Sequence, residues 1–162
     1  MAVLPVPLFM AFFMIVVAEK VLAKLGIKMT MATGFVILGL GNILFSQFAT
    51  VDGTYFISVL IPSFVAALGN ALAYLASTTA SVSEVEPKKS GLASGLYNTN
   101  FQIGSAIGLS IMVAIAGAAT RASDVADSVV ALNEGFQQGF FWAGMFAFVG
   151  AVLALLFIQS KK

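Results

Sequence analysis

The spacing of charges constrains this chain more than any other feature. Its 15 Asp, Glu, Lys and Arg residues leave five uncharged runs, 1–18, 29–51, 53–83, 90–120 and 135–160, which are 18, 23, 31, 31 and 26 residues long. A helix needs roughly 20 mostly apolar residues, at 1.5 Å rise each, to cross a bilayer, so every run is long enough or nearly so. A soluble helix keeps one polar face, whereas the stretch from Met29 to Gln47 is apolar on all sides. Only 9% of the residues are charged, against about 25% in an average soluble domain. The expected fold is therefore all-α: a polytopic membrane helical bundle of about five transmembrane helices. It forms a single transmembrane domain over residues 1–162, with spans near 3–17, 29–48, 55–79, 91–118 and 136–158.

The clusters between the runs set an orientation. Lys20, Lys24 and Lys28 separate runs one and two, Lys88 and Lys89 separate runs three and four, and Lys161 and Lys162 follow run five. Five crossings bring these three places to one side, leaving Arg121 as the only basic residue on the other. Cytoplasmic loops collect Lys and Arg, so a multi-pass protein of the cell membrane is expected, with its N-terminus outside and its C-terminus cytoplasmic. Met1 leads directly into apolar sequence without a basic segment or a small-residue cleavage site, which is not a signal peptide and reads as a chain beginning partway through a larger protein.

Local signals refine this outline. Pro5 and Pro7 sit in the first turns of segment 1, where a missing N–H matters least. The lysines of the first basic loop recur every four residues, as in a short amphipathic helix at the headgroups that Gly26 ends. A tight turn is expected around Asp52-Gly53, and Tyr55 stands where an interfacial aromatic belongs. The stretch 120–134 reads as a loop in which Ser123-Asp124-Val125-Ala126-Asp127 caps a short surface helix.

Segment 4 carries the most information. Gly91/Gly95 and Gly104/Gly108 are small-xxx-small pairs of the kind that let helix backbones touch and pack within a membrane. Between them lie Asn98, Asn100 and Gln102, amides that hydrocarbon does not tolerate unpartnered. Asn98 and Gln102 share a face four residues apart, as do Asn70 and Tyr74 in segment 3, where Pro62 and Gly69 allow a bend. These amides either bond to neighbouring helices or line a wet cavity, which makes Asn70, Tyr74, Asn98 and Gln102 the candidate cavity residues. No ionisable residue lies deep in a span, so a coupling group of the kind that proton-driven carriers use is not visible. Without His or Cys the chain lacks the usual metal and thiol chemistry. Gly39-x-Gly41 is followed by Leu44 where a dinucleotide fingerprint needs glycine. With no paired catalytic carboxylates and no nucleophile–base set, an enzyme, a cofactor and a nucleic-acid partner are not expected. From the residues alone the expected partners are the bilayer, other helices at the glycine faces and a substrate in any wet cavity.

The run Glu86-Pro87-Lys88-Lys89-Ser90-Gly91-Leu92-Ala93-Ser94-Gly95-Leu96-Tyr97-Asn98, followed by Gln102-Ile103-Gly104 and Ala106-Ile107-Gly108, resembles the penultimate helix of major facilitator superfamily drug–proton antiporters of the fourteen-helix type. Ala131-Leu132-Asn133-Glu134-Gly135-Phe136, before a Phe-rich last segment, is similar to the start of that family's final span. The order of spans resembles its C-terminal five helices. The family's basic loop, G-R-L-x-D-R-x-G-x-R, aligns with Glu19 to Lys28: Lys20, Lys24, Gly26 and Lys28 keep the pattern, while Glu19 replaces its Gly and Ala23 its Asp. Phe101 stands where the family often has Arg.

The resemblance implies alternating access between two bundles, with segment 3 lining the central cavity, segments 1 and 4 at the bundle interface and segments 2 and 5 peripheral. The function it implies is the C-terminal portion of a multidrug or small-molecule efflux transporter that does not transport alone, with the missing N-terminal helices as partner. The glycine faces also fit a small membrane scaffold that binds other helices.

Overall fold

A computed structural model describes residues 9, 11–50, 56–83, 85–125 and 127–158. Among these there are no strands, and four helical stretches are long and apolar enough to cross a membrane: α1 (Phe13–Phe48), α2 (Phe56–Val82), α3 (Pro87–Ala122) and α4 (Ser128–Phe157). Pro5, Pro7, Asp52, Gly53, Tyr55, Lys161 and Lys162 lie outside the described residues.

Five expected spans become four helical stretches because the described end of the first, whose residues 3–8 and 10 lie outside the described residues, joins the second without a loop. Gly26 has φ 75 and ψ 172 inside α1, and φ in this range is readily open only to glycine. The packing partners show that the chain reverses there. Before Gly26, Phe9 and Phe13 set their rings edge-on to Phe64 of α2, and Leu22 lies in one cluster with Ala76 and Ala80. This limb therefore runs parallel to α2. After Gly26, Met31 meets Ala76, Gly34 faces Gly69 and Ala73, and Gly41 faces Ala66. The second limb therefore runs antiparallel to α2.

That second limb is the hub of the bundle. Its Gly34, Leu38 and Gly41, at positions i, i+4 and i+7, form one helical face against α2. Phe35, Gly39 and Ile43 form another against Gly150, Phe148 and Gly144 of α4, and Phe45 stacks on Phe140 with ring centroids 4.9 Å apart. Gly39 and Gly41 thus serve two different neighbours. A Cβ on Gly34 would stand 2.5 Å from the Ala73 backbone nitrogen, and one on Gly41 2.6 Å from that of Ala66. Without a hydrophobic drive between helices in lipid, such backbone approach supplies the packing attraction.

Both ends of the bundle are finished by side chains. At the far end of α1, Asn133 Nδ2 and Gln137 Nε2 of α4 donate to the Ala49 carbonyl oxygen at 2.9 and 2.6 Å, meeting a helix-end acceptor that has no partner within its own helix. The stretch read as a loop over 120–134 is largely helix, because α4 already begins at Ser128. Asp127 caps it, its Oδ1 accepting from the Val129 N–H at 2.8 Å. Ser123 Oγ donates to Glu134 Oε2 at 2.6 Å, and Gly135 lies against Thr120 and Ala116 of α3. At the other end, the Lys89 and Glu86 side chains pair at 3.1 Å on the surface. Pro62, expected to bend a helix midway, instead marks the change from the π-helical turns Phe56–Leu60 to the α-helical Ile61–Val82, and it is fully buried.

Candidate functional site

The polar residues of the spans differ in where their hydrogen bonds go, and one hydroxyl, that of the fully buried Thr30, has no partner among the described residues. Hydroxyls turn inward: Thr78, Thr79, Thr99, Ser110 and Thr120 each donate to a carbonyl one turn earlier in their own helix, and Asn42 Nδ2 does the same to Leu38 at 3.0 Å. Such bonds let a hydroxyl sit in hydrocarbon without a partner helix. The four amides Asn70, Asn98, Asn100 and Gln102 are different. All are exposed, and among the described residues none makes a side-chain hydrogen bond.

These amides flank a cluster of three rings. Tyr74 of α2 sits edge-on to Tyr97 and Phe101 of α3, with centroids 6.5 and 5.8 Å away, and Tyr97 stacks on Phe101 at 6.2 Å. The periodicity explains the arrangement. Asn70 and Tyr74 are one turn apart on α2, Tyr97 and Phe101 are one turn apart on α3, and Asn98 and Gln102 each follow a ring residue by one position. The rings are the main link between α2 and the first half of α3, so the two helices meet through aromatic edges and leave amides on either side. Phe101 is 47% exposed; where the resembling family often holds a cation, this face presents an aromatic surface and neutral amides.

Of the residues expected to line a cavity, Tyr74 lies in this cluster, Asn70 lies one turn from it, and Asn98 and Gln102 lie on the adjoining exposed strip of α3. Sequence reasoning did not single out Tyr97 as their partner, although its i, i+4 spacing to Phe101 was the available signal. The expected glycine seam behaves unexpectedly: a Cβ on Gly91, Gly95, Gly104 or Gly108 would meet no atom within 4 Å, and α3 has no buried residue. Within the chain, close packing falls to Gly34, Gly41, Gly69, Gly144 and Gly135 instead. In the basic loop Lys20 and Lys24 are exposed and Lys28 is half-buried beside the Gly26 reversal. Among the described residues no three His, Cys, Asp or Glu side chains gather as a metal site.

The decisive observation is that residues 2–162 match the sequence profile of the Major Facilitator Superfamily. The chain belongs to the Major Facilitator Superfamily. No curated protein and no solved structure matches it. As a major facilitator it is a multi-pass membrane protein of a transporter family. Secondary transporters bind substrate near the bilayer midplane, where two sets of helices meet. An exposed strip of unpartnered amides beside aromatic rings, carried by a helix that the rest of the chain barely covers, has the composition such a surface needs.

Proposed function

We propose that this major facilitator chain is the C-terminal portion of an efflux transporter for small lipophilic molecules, of the drug–proton antiporter type, and that it supplies one wall of the substrate cavity. The observation that carries this reading is the set of exposed, unbonded amides Asn70, Asn98, Asn100 and Gln102 around Tyr74, Tyr97 and Phe101. Amides left facing hydrocarbon are costly, so they face water, substrate or another helix. Rings and neutral amides suit a lipophilic solute, and ring faces also attract organic cations. The opposite wall and the proton-coupling group come from further helices, since alternating access needs two bundles moving against each other.

The test is dye transport in liposomes under an imposed pH gradient. The purified chain alone is expected to move no lipophilic cationic dye, and the chain assembled with the N-terminal helices of a fourteen-helix carrier is expected to move it. In that assembly Tyr74→Ala should lower transport while leaving the amount of assembled protein unchanged. Gradient-driven transport by the chain alone, abolished by a protonophore, would overturn the division of labour. A scaffold function draws on the open glycine face of α3; it predicts association with the added helices but no dye movement in any combination.

The same reading places the lysine-rich end in the cytoplasm of a cell-membrane protein, by the excess of Lys and Arg there. A cysteine at position 127 should react with an impermeant thiol reagent added to intact cells, and one at position 89 should not. The reverse pattern would invert the topology.

A further inference from the structure

A second concave site lies further along α3, towards its C-terminal end, beyond the aromatic and amide cluster. Between the second limb of α1, the last turns of α3 and the first half of α4 there is a cavity of about 600 Å³. This is within the range of about 300–1,000 Å³ typical of small-molecule sites. Its walls are almost wholly apolar, and several of the side chains that line it are turned outward: Leu109 is 66% exposed, Val113 62%, Phe136 52% and Leu132 49%. In a membrane such residues face acyl chains wherever no further helix covers them.

The cavity has one charged end. Arg121 lines it in the last turn of α3, and its guanidinium does not extend along the helix axis away from the bundle. One of its nitrogens, Nη1, lies 3.4 Å from where a Cβ on Gly117 would stand, so the side chain folds back one turn into the space that this glycine leaves. Among the described residues Glu134 accepts from Ser123, Asp127 accepts from the Val129 N–H, and neither these nor Asp124 pairs with Arg121; Asp52, expected on the same side, lies outside the described residues. Arg121 closes a helix of 33 residues, Ser90–Ala122. At 1.5 Å per residue that exceeds a hydrocarbon core of about 30 Å, which puts the guanidinium at headgroup level.

From this juxtaposition we propose that the cleft is a binding site for an anionic phospholipid. One acyl chain fills the apolar cavity from the side, and the phosphate sits on Arg121. An open lateral mouth, an apolar interior and, at headgroup height, a cation with no carboxylate partner among the described residues match the two halves of a lipid molecule. The site is independent of the cavity wall at Tyr74, which faces a different part of α3.

The experiment uses the full chain in phosphatidylcholine vesicles and reads tryptophan quenching by brominated lipids. Trp142 is the only tryptophan and is exposed outside the cavity lining. It serves as the reporter of bulk lipid, and Phe136→Trp in a Trp142→Phe background reports the cleft. Brominated phosphatidylglycerol should quench the cleft reporter at about fivefold lower mole fraction than brominated phosphatidylcholine, the effect of one basic side chain on an anionic headgroup. Trp142 in the unmodified chain should not distinguish the two lipids. Arg121→Gln should abolish the preference. Gly117→Leu, which occupies the space where the guanidinium lies, should do so too. Leu132→Trp in the same background is a second cleft reporter should Phe136→Trp fail to fold. Equal quenching by both lipids at the cleft reporter, no quenching there by either, or a preference that survives Arg121→Gln would each overturn the site.

Discussion

Gly34 and Gly104 belong to similar apolar helices, and their sequence surroundings do not tell them apart, yet they meet opposite environments. On the second limb of α1, Gly34 and Gly41 bring the backbone of α2 so near that a methyl group at either position would collide with main-chain atoms. On α3, the regular pairs Gly91/Gly95 and Gly104/Gly108 meet nothing. The closely packed glycines of α1 are spaced irregularly because each serves a different neighbour: Gly34 and Gly41 serve α2, and Gly39 serves α4. A small-residue pattern therefore identifies a face on which backbones can touch, but whether a partner fills it depends on the other helices. In this chain the irregular set builds the bundle, and the regular set is presented outward on the helix that also carries the unbonded amides.

The largest effect expected from this contrast is on Gly34. In Gly34→Leu the new side chain meets the backbone of Ala73 and Gly69 rather than a flexible side-chain end, so neither helix can yield locally. Overpacking of this kind costs about 3 kcal/mol or more, and the variant should lose most of its folded yield in detergent and shift its thermal transition sharply downward. A wild-type transition in Gly34→Leu would mean that α1 and α2 are not in backbone contact.

A middle-sized effect should come from the end of the hub. Asn133 and Gln137 both donate to the Ala49 carbonyl oxygen, and interhelical hydrogen bonds in membranes are worth about 1 kcal/mol each. Asn133→Leu with Gln137→Leu should destabilise the bundle by about 1–2 kcal/mol. The loss should appear as faster amide exchange near Ala49, with little change at Gly34. If exchange at Ala49 were unchanged, the two amides would not be what secures the end of α1.

Much of this architecture was legible in the residues. The charge gaps located the apolar helices, and the lysine spacing with Gly26 located the reversal, because both rest on local requirements: length for crossing, and a positive φ for turning. The start of α4 was harder to see. Ser128 to Glu134 is polar enough to read as loop, but Asn133, Glu134 and Gln137 spend that polarity on Ala49 and Ser123, contacts between residues far apart in the chain. The site divides in the same way. Tyr74 and the amides stood out because polar groups in a span demand a reason, whereas the partnership of Tyr74 with Tyr97 and Phe101 depends on how α2 and α3 approach each other. That the glycines of α3 are open could not be read from their spacing, which is the same for a filled seam and an empty one.

The smallest expected effect on stability is the sharpest test of the comparison. Gly104→Leu and Gly108→Leu add side chains to positions where nothing lies within 4 Å. In the chain alone neither should lower the thermal transition, and replacing glycine within a helix should raise stability by several tenths of a kcal/mol, since leucine is the better helix former. This is the reverse of Gly34→Leu, although the substitution is the same. Under the proposed function, assembly with further transporter helices should change the sign. If that assembly closes over the α3 face, the added leucines force apart backbones that glycine lets touch, and co-purification of the two parts should fall for Gly104→Leu and Gly108→Leu but not for Leu109→Ile. The pair of measurements separates the alternatives. Stability kept or raised in the chain alone, with assembly lost, assigns the glycines to an intermolecular seam. Stability lost in the chain alone would show that α3 packs on its own bundle after all, and assembly unaffected by either leucine would leave the regular glycine pairs without a partner.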